Sequence, residues 1–506
     1  MNKPNEIPIL TARLLQQTSG QLFTDSASRG RYATDASIYQ TMPKAVFIPK
    51  TADDVVAAIG VAAELSVPIL ARGGGTSQCG QTTGAALVID NSPHFRKLLH
   101  LDLEEKTVEV EPGMVLDHLN QLLKPHQLWF PVDVSTSGQA TIGGMAGNNS
   151  CGSRSIQYGN MVHNVLGIDA WLADGTLAQF GKIGHAQGRA LELGNFVQSL
   201  AKKYQSEIIT HWPKVLRRVA GYNLDIFDNQ SEKPYTTDGH VNLAHLLVGS
   251  EGTLGYFKKL KLQLSPLPSH KVLGVINFAN FHQAMQSAQH IVKLGPCAVE
   301  LVDRTMIDLA RHNPVFKEVI ETGLIDKNAP TPEAILLVEF AGDELKPLIR
   351  QVNDLTVLMS DLGHPNSVVQ LIDPSAQKNL WEVRKAGLNI MMSLKGDGKP
   401  VSFIEDCAVP LEHLAEYTDA LTEVFTQHGT RGTWYAHASV GTLHVRPILD
   451  MRRDGATKMR AIAEEAAVLV KRFKGAFSGE HGDGISRGEW VQWQFGPKLN
   501  EALIAI

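Results

Sequence analysis

The sequence predicts an α+β protein built as two domains, and three observations lead to this class. Strand and helix patterns alternate in short units through the first half of the chain. A proline-bearing stretch at 264–269 interrupts them. A second series of strands and helices then follows. At roughly 100–200 residues per domain, the 506 residues allow two to four domains. We expect an N-terminal segment (1–40), a first domain (41–268) and a second domain (269–506).

The elements of the first domain follow from local patterns. Asp53 and Asp54 can cap a helix whose apolar positions keep helical spacing. Strands are predicted over 67–71, 86–90, 107–111 and 165–175. A helix over 115–124 would place on one side Leu116, Leu119, Leu122 and Leu123.

The second domain repeats the pattern of a strand followed by a helix. Strands are predicted over 272–276, 334–340 and 401–404, and helices over 281–294 and 345–360. Short strands with helical connections of this kind suit an antiparallel sheet covered by helices.

Composition excludes several classes of protein. With 47 Lys and Arg against 52 Asp and Glu, the net charge of −5 predicts no nucleic-acid partner. The hydrophobic fraction of 43% is that of a folded chain. Four scattered cysteines are too few for a disulfide framework: Cys79, Cys151, Cys297 and Cys407. We see no apolar run of roughly 18 residues and no signal peptide, so we expect no integral membrane segment and a cytoplasmic location.

Glycine is concentrated in loops. It supplies 44 of 506 residues, or about 9%, against about 7% in ordinary domains. The first cluster, at 73–75, follows a predicted strand, which suggests a phosphate cradle. Two common cradles do not fit, because Gln78 replaces a glycine of the dinucleotide fingerprint and Gln81 replaces the lysine of the nucleotide-triphosphate loop. A tight turn remains the alternative for this cluster taken alone.

A second tract, at 131–153, is rich in glycine, serine, threonine and asparagine. The run continues to Gly159, so if it is a loop it extends for more than 25 residues without structure of its own, and such loops usually bind something. The sequence therefore predicts a binding loop here.

Four motifs occur in order: Arg-Gly-Gly-Gly-Thr-Ser at 72–77, Thr-Ile-Gly-Gly at 141–144, Ala-Asp-Gly at 173–175 and Gly-Ser-Glu-Gly-Thr-Leu-Gly at 249–255. Together they resemble the FAD-binding domain of the vanillyl-alcohol oxidase type, also called the PCMH type. From about residue 30 to the end, the chain is similar to the FAD-linked D-2-hydroxyacid dehydrogenases. The resemblance is strongest to the D-2-hydroxyglutarate and D-lactate branch, usually fused to a C-terminal iron–sulfur domain. It implies an FAD-binding domain followed by an α+β substrate domain with an antiparallel sheet.

The resemblance also implies the cofactor-binding residues. The loop at 73–77 would hold the FAD pyrophosphate, and the tract at 131–153 would lie along the ribityl chain and the isoalloxazine. The full set is Arg72, Gly73, Gly74, Gly75, Thr76, Ser77, Gln81, Pro131, Ser135, Thr136, Thr141, Gly143, Gly144, Ala146, Asn149, Gly152, Ser153, Gly252 and Thr253. Some relatives attach the flavin through a histidine where Thr76 stands, so we expect non-covalent FAD.

Two histidines, His437 and His444, are seven residues apart. On one straight strand they would face opposite sides, whereas a turn at Gly441 would make them converge. With 19 histidines in the chain, this spacing alone carries no information. The resemblance implies that both bind a divalent metal with Glu480, most simply zinc, with manganese or iron as alternatives. It also implies that His481 is the general base, while the metal takes the hydroxyl and carboxylate oxygens of the substrate.

A cation must fix the substrate carboxylate, and Arg384 matches the position of the family's arginine. Lys399 is a weaker candidate of the same kind. The sequence departs from the commonest family form at 438–442 and has Leu388 where the human-type enzymes have a threonine. The segment Val445, Arg446 and Pro447 matches the iron–sulfur-fused branch.

The resemblance implies FAD-dependent oxidation of a D-2-hydroxy acid, first D-2-hydroxyglutarate and then D-lactate, with hydride passing to the flavin. Electrons would continue to a quinone, a cytochrome or a flavoprotein, with peripheral membrane contact as the alternative to a purely cytoplasmic location. A homo-oligomer is a further expectation. The chain stops where family members continue, so we expect an iron–sulfur cluster only in a missing C-terminal region. Alternatives are a non-catalytic subunit of a glycolate-oxidase-like complex and an NADPH-dependent flavin reductase of cell-wall nucleotides.

Overall fold

Three larger β-sheets and one two-stranded sheet occur in the computed structural model, which describes residues 6–228, 240–326 and 330–506. The first sheet is mixed, and its strands lie in the order Gln21–Phe23, Ala45–Ile48, Leu87–Asp90 and Ile69–Arg72. The last three strands are parallel and the first is antiparallel. Because the loop at 73–77 follows directly on the parallel edge strand Ile69–Arg72, the sheet fixes where that loop begins.

The second sheet is antiparallel with five strands. Their order is Leu98–Asp102, Thr107–Val110, Tyr256–Gln263, Val165–Trp171 and Leu177–Phe180. The longer helices of this half are Glu6–Gln17, Ala52–Glu64, Leu116–Leu123, Gly188–Lys203 and Gln205–His211. Shorter ones are Ser26–Gly30, Ile142–Asn148, Ser155–Tyr158, Met161–Asn164 and Ala244–Leu247.

The third sheet confirms the predicted antiparallel arrangement of the second half. Seven strands follow the order Val368–Leu371, His270–Phe278, Ala334–Gly342, Ala298–Asp303, Gly432–His437, Thr442–Leu449 and Lys399–Pro400, and Cys407–Ala408 also pairs with Thr442–Leu449. The longer helices are Phe281–Ile291, Arg304–Arg311, Leu345–Asp361, Pro374–Lys385, Leu414–Gln427, Gly455–Arg472 and Pro497–Ala505. Shorter ones are Lys317–Glu321, Gly387–Met392, Gly484–Arg487 and Val491–Phe495.

The structure corrects four local predictions. Thr51 caps the helix Ala52–Glu64, and Asp54 is its capping-box partner, so neither predicted aspartate is the cap. Leu122 is exposed, while the other three leucines of its helix are buried. The tract at 131–153 contains the helix Ile142–Asn148 and is not structureless. Residues 401–404 form no strand, since pairing at that edge ends at Pro400.

The C-terminal end of the chain packs in a core of the first half. Phe495, Leu499 and Leu503 pack in the apolar core of the first half, against residues such as Trp212. A separate apolar core in the second half includes Phe340 and lies between the third sheet and its helices. The stretch at 264–269 is tied back to the first half, because Ser265–Pro266 pairs with Leu128–Trp129. Within the described ranges, no helix combines the length and apolar composition needed to cross a bilayer.

Candidate functional site

A cavity of about 1070 Å³ lies between the glycine loops and the third sheet. It is lined by most of the predicted cofactor-binding residues: Arg72, Gly73, Gly74, Gly75, Thr76, Ser77, Gln81, Ser135, Thr136, Thr141, Gly143, Gly144, Gly152, Ser153 and Gly252. The predicted metal ligands His437, His444 and Glu480 line it as well. His481 and Arg384 complete the set of predicted residues on its wall. The fold therefore joins the two groups of motifs in one cavity.

The first loop needs its glycines. A Cβ on Gly73 would lie 2.1 Å from Oγ1 of Thr141, and one on Gly74 would lie 2.3 Å from the carbonyl oxygen of Gln139. Gly75 has a φ of +65°, in the left-handed region that glycine adopts most easily. The loop thus presents bare backbone to the cavity, as a cradle for phosphate oxygens requires.

Arg72 supports this loop from behind. Its guanidinium donates to the carbonyl oxygens of Tyr32, Thr34 and Thr82 at 2.9–3.2 Å. It also lies over the Tyr32 ring, 5.2 Å from the centroid. These bonds occupy much of its donor capacity, so its main contribution is to fix the start of the loop.

Four predicted cofactor-binding residues do not line the cavity: Pro131, Ala146, Asn149 and Thr253. Three of them hold the surrounding loops in place. The carbonyl of Ala146 accepts from Gly249 N at 2.9 Å, Oδ1 of Asn149 accepts from Val162 N at 3.0 Å, and Oγ1 of Thr253 donates to the Ser250 carbonyl at 2.6 Å. Pro131 is buried.

The two histidines converge as the turn at Gly441 predicts. His437 ends the strand Gly432–His437, Gly441 has a φ of +69°, and His444 lies on the returning strand. Nε2 of His444 lies 2.9 Å, and Nε2 of His437 3.5 Å, from Oε1 of Glu480. Nε2 of His481 lies 3.4 Å from the same oxygen. Three imidazoles therefore surround one buried carboxylate oxygen.

This cluster fits a divalent cation. One ligand atom from each of His437, His444 and Glu480 lies within 4.8 Å of the others, and all three residues are buried. Two nitrogens and one oxygen are a ligand set used by catalytic zinc. Burial lowers the pKa of His444 to about 4, which keeps its imidazole neutral and available as a ligand. Burial raises the pKa of Glu480, but His437 and Arg217 lower it well below its usual range.

The second oxygen of Glu480 is held from the first half of the chain. Nη1 of Arg217 lies 2.7 Å from Oε2, and Nε of Arg217 donates to Oγ of Ser155 at 2.8 Å. Asn148 donates to the Glu480 carbonyl at 2.7 Å, and Gln81 to the His481 carbonyl at 2.6 Å. The loops around the cradle therefore also position the residues of the metal cluster.

A buried aspartate holds the backbone around His481. The carboxylate of Asp406 accepts from the backbone N–H groups of Gly479, Glu480 and His481, the last two at 2.9 and 2.8 Å. Nδ1 of His481 lies 3.2 Å from Oε1 of Glu405, which in turn pairs with Arg446. Burial lowers the pKa of His481, but Asp406 and Glu405 raise it to about 10. A positive charge bound at Glu480 would oppose that rise.

Arg384 is buried at the edge of the cluster. Its Nη2 lies 2.6 Å from Oε2 of Glu300, and its guanidinium lies over the Tyr435 ring at 4.7 Å. Lys399 lies apart from the other predicted site residues and does not line the cavity. Its Nζ donates to the Leu394 carbonyl at 2.6 Å. The side chain of Leu388 lies outside the part of the chain that the structure describes.

Sequence reasoning missed the charged residues behind the ligands: Glu300, Arg217, Glu405, Asp406 and Arg446. Glu300, Arg217 and Asp406 are almost wholly buried. A signal was available for Glu300, because a single glutamate interrupts the apolar run of the strand Ala298–Asp303. Charged residues are rarely fully buried without a partner.

Comparisons with known proteins match the two halves of the chain to two domain families. Residues 43–181 match the family described as FAD binding domain, and residues 267–506 match FAD linked oxidases, C-terminal domain. D-2-hydroxyglutarate dehydrogenases of Haemophilus influenzae and Pseudomonas putida are 32% and 34% identical, over 96% and 94% of this chain. The chain covers 48% of each, so it spans about half the length of these curated relatives. Glycolate oxidase subunit GlcD of Bacillus subtilis is 26% identical, over 98% of this chain and 92% of that protein.

A solved structure shows the same architecture. p-Cresol methylhydroxylase with substrate bound superposes with a TM-score of 0.69 at 14% identity, over 99% of this chain and 94% of that one. At this identity the likeness shows the fold alone, which is the predicted PCMH-type FAD fold. Both matches occur in order along the chain, which therefore combines an FAD binding domain with the C-terminal domain of FAD linked oxidases.

Proposed function

We propose that this chain oxidises a D-2-hydroxy acid to the 2-oxo acid, with D-2-hydroxyglutarate as the first substrate and D-lactate as the second. The observation that carries the proposal is the position of the cluster of His437, His444 and Glu480 on the same cavity as the glycine cradle. The dehydrogenase relatives support the same activity. When bound, FAD supplies the hydride acceptor.

The residues of the second half divide the remaining work. His437, His444 and Glu480 would hold a divalent metal, most simply Zn²⁺, with Mn²⁺ or Fe²⁺ as alternatives. Such a cation supplies positive charge that lowers the pKa of a hydroxyl group. His481, on the cavity wall next to Glu480, is placed to take the hydroxyl proton once a cation bound at Glu480 opposes the rise in its pKa and leaves the imidazole neutral. Arg384 offers a planar cation for the substrate carboxylate. A quinone, a cytochrome or a flavoprotein would then accept the electrons.

The substrate is tested by mixing the anaerobic flavoprotein with D- and L-2-hydroxy acids, one at a time. We expect D-2-hydroxyglutarate to bleach the flavin absorbance fastest and D-lactate next, while the L-isomers leave it unchanged. Bleaching by NADPH alone would indicate a reductase instead. Absence of bleaching with every acid would indicate a non-catalytic subunit of the glycolate-oxidase kind.

Metal removal gives a second test. After treatment with a chelator, we expect flavin reduction by the hydroxy acid to slow by about 10-fold or more, because the hydroxyl loses the cation that lowers its pKa. Adding back Zn²⁺ or Mn²⁺ should restore the rate, and bound FAD should stay constant throughout. An unchanged rate after the metal content has fallen to zero would contradict the metal's role.

The flavin linkage is tested by acid precipitation. Position 76 carries threonine and not the histidine that would bond covalently to the flavin. We therefore expect the yellow colour to remain in the supernatant. The absorbance spectrum of pellet and supernatant is the measurement. Colour retained in the pellet would show a covalent bond to another residue.

A further inference from the structure

A buried carboxylate connects two parts of the site. Glu300 has no exposed surface. Its Oε1 lies 2.7 Å from Nδ1 of His437, and its Oε2 lies 2.6 Å from Nη2 of Arg384. Strand register explains the first contact, because Glu300 lies opposite His437 in the third sheet. One side chain therefore touches both a proposed metal ligand and the proposed carboxylate clamp.

The contact with His437 orients its ring. With Nδ1 held by Glu300, Nε2 faces Oε1 of Glu480 at 3.5 Å, and the ring centroids of His437 and His444 lie 5.0 Å apart. When Nε2 is the ligand atom, Nδ1 carries the proton and donates it to the carboxylate. A partner of this kind fixes both the tautomer and the ring orientation of a metal-binding histidine.

The contact with Arg384 fixes one side of its guanidinium. The Tyr435 ring covers one face at 4.7 Å. Nε of Arg384 is buried and has no hydrogen-bond partner within the described ranges. The arginine is therefore held by Glu300 and Tyr435 on the wall of the cavity, and the Glu300 contact uses only one of the five N–H donors of its guanidinium.

We propose that Glu300 is a positioning residue that sets the metal ligand His437 and the clamp Arg384 in one arrangement. The inference rests on the proposed function. Glu300 does not line the cavity, so it acts through its two partners and not on the substrate. A carboxylate is required because two donors meet it, one at each oxygen. A glutamine offers one oxygen and one NH₂ group, so it can accept from only one of the two partners.

The test compares Glu300→Gln with the wild type in two measurements on the FAD-loaded protein. Competition with a chromophoric chelator gives the Zn²⁺ affinity, and steady-state turnover of D-2-hydroxyglutarate gives KM and kcat. We expect Zn²⁺ to bind about 10- to 100-fold more weakly. We also expect KM to rise by about 10-fold, because the clamp loses its orientation.

Two further variants separate positioning from general loss of stability. Arg384→Lys should raise KM and leave the Zn²⁺ affinity unchanged. Asp303→Asn removes a buried carboxylate three residues along the same strand, where it accepts from the backbone N–H groups of Met306 and Trp434. This control should lower the melting temperature while Zn²⁺ affinity and KM stay at the wild-type values.

Each result decides between the inference and the function on which it rests. A fall in both Zn²⁺ affinity and substrate affinity in folded, yellow Glu300→Gln supports the positioning role. Unchanged Zn²⁺ affinity overturns the inference and leaves the proposed function standing. A lower KM does the same, because it is the result expected if Glu300 only competed with the substrate anion for Arg384. A wild-type protein that binds no divalent cation overturns the proposed function and this inference together.

Discussion

Replacing His481 with glutamine is expected to lower kcat by about 10³-fold, since a positioned general base contributes 10²–10⁴-fold. The imidazole lies on the cavity wall, with Nε2 3.4 Å from Oε1 of Glu480 and Nδ1 3.2 Å from Oε1 of Glu405. A carboxylate on the far nitrogen orients the ring and stabilises it once it has taken a proton. Glutamine keeps the bulk and a polar end but cannot accept a proton at neutral pH.

The measurement is the rate of anaerobic flavin reduction in a single turnover, together with FAD and metal content. The content of both should match the wild type, because His481 is not among the three proposed ligands. His428→Gln is the matched control, since His428 also pairs with a carboxylate, Glu465, at 2.7 Å, but lies away from the cavity. A reduction rate within a few-fold of wild type in His481→Gln would assign the proton to another group.

The features that the sequence could predict are those that depend on nearby residues. Gly73 is required because Thr141 approaches it closely, and Gly75 because its φ is positive. Each requirement is visible in the sequence as a glycine. The convergence of His437 and His444 depends on one turn at Gly441. Loops of this kind can be recognised before the fold is known, as can the strands that precede them.

The groups behind the ligands depend on long-range pairing. Glu300 reaches His437 only because their strands lie side by side in the third sheet. Arg217 reaches Glu480 across 263 residues of sequence. No local sequence pattern predicts which strands will be neighbours in a sheet. The contacts of Glu300 with His437 and of Arg217 with Glu480 could therefore not be assigned from the sequence. The capping error at Asp53 and Asp54 was smaller and local, because a threonine one position before the helix competes for the same role.

Asp406→Asn is expected to weaken metal binding and to slow flavin reduction together. Asp406 has no exposed surface, and its carboxylate accepts from the N–H groups of Gly479, Glu480 and His481 and from Oγ of Ser478 at 3.2 Å. These donors all face one side chain, which must be an acceptor at both oxygens. An asparagine turns an NH₂ group toward some of them, and each buried donor left without an acceptor costs about 1–3 kcal/mol. The segment then relaxes, and Glu480 and His481 move with it.

Asp54→Asn is the matched control for this effect. Asp54 is also buried and accepts from three backbone N–H groups, those of Ser19, Lys50 and Thr51, at 2.7–3.1 Å. It lies on the helix Ala52–Glu64 and does not line the cavity. Both variants should melt at lower temperature and retain FAD. Only Asp406→Asn should weaken Zn²⁺ binding, by about 100-fold, which is the upper range for groups that orient metal ligands. Its rate of flavin reduction should also fall by about 10³-fold, because the variant displaces the general base. Wild-type Zn²⁺ affinity in Asp406→Asn would show that the ligands keep their positions without this aspartate.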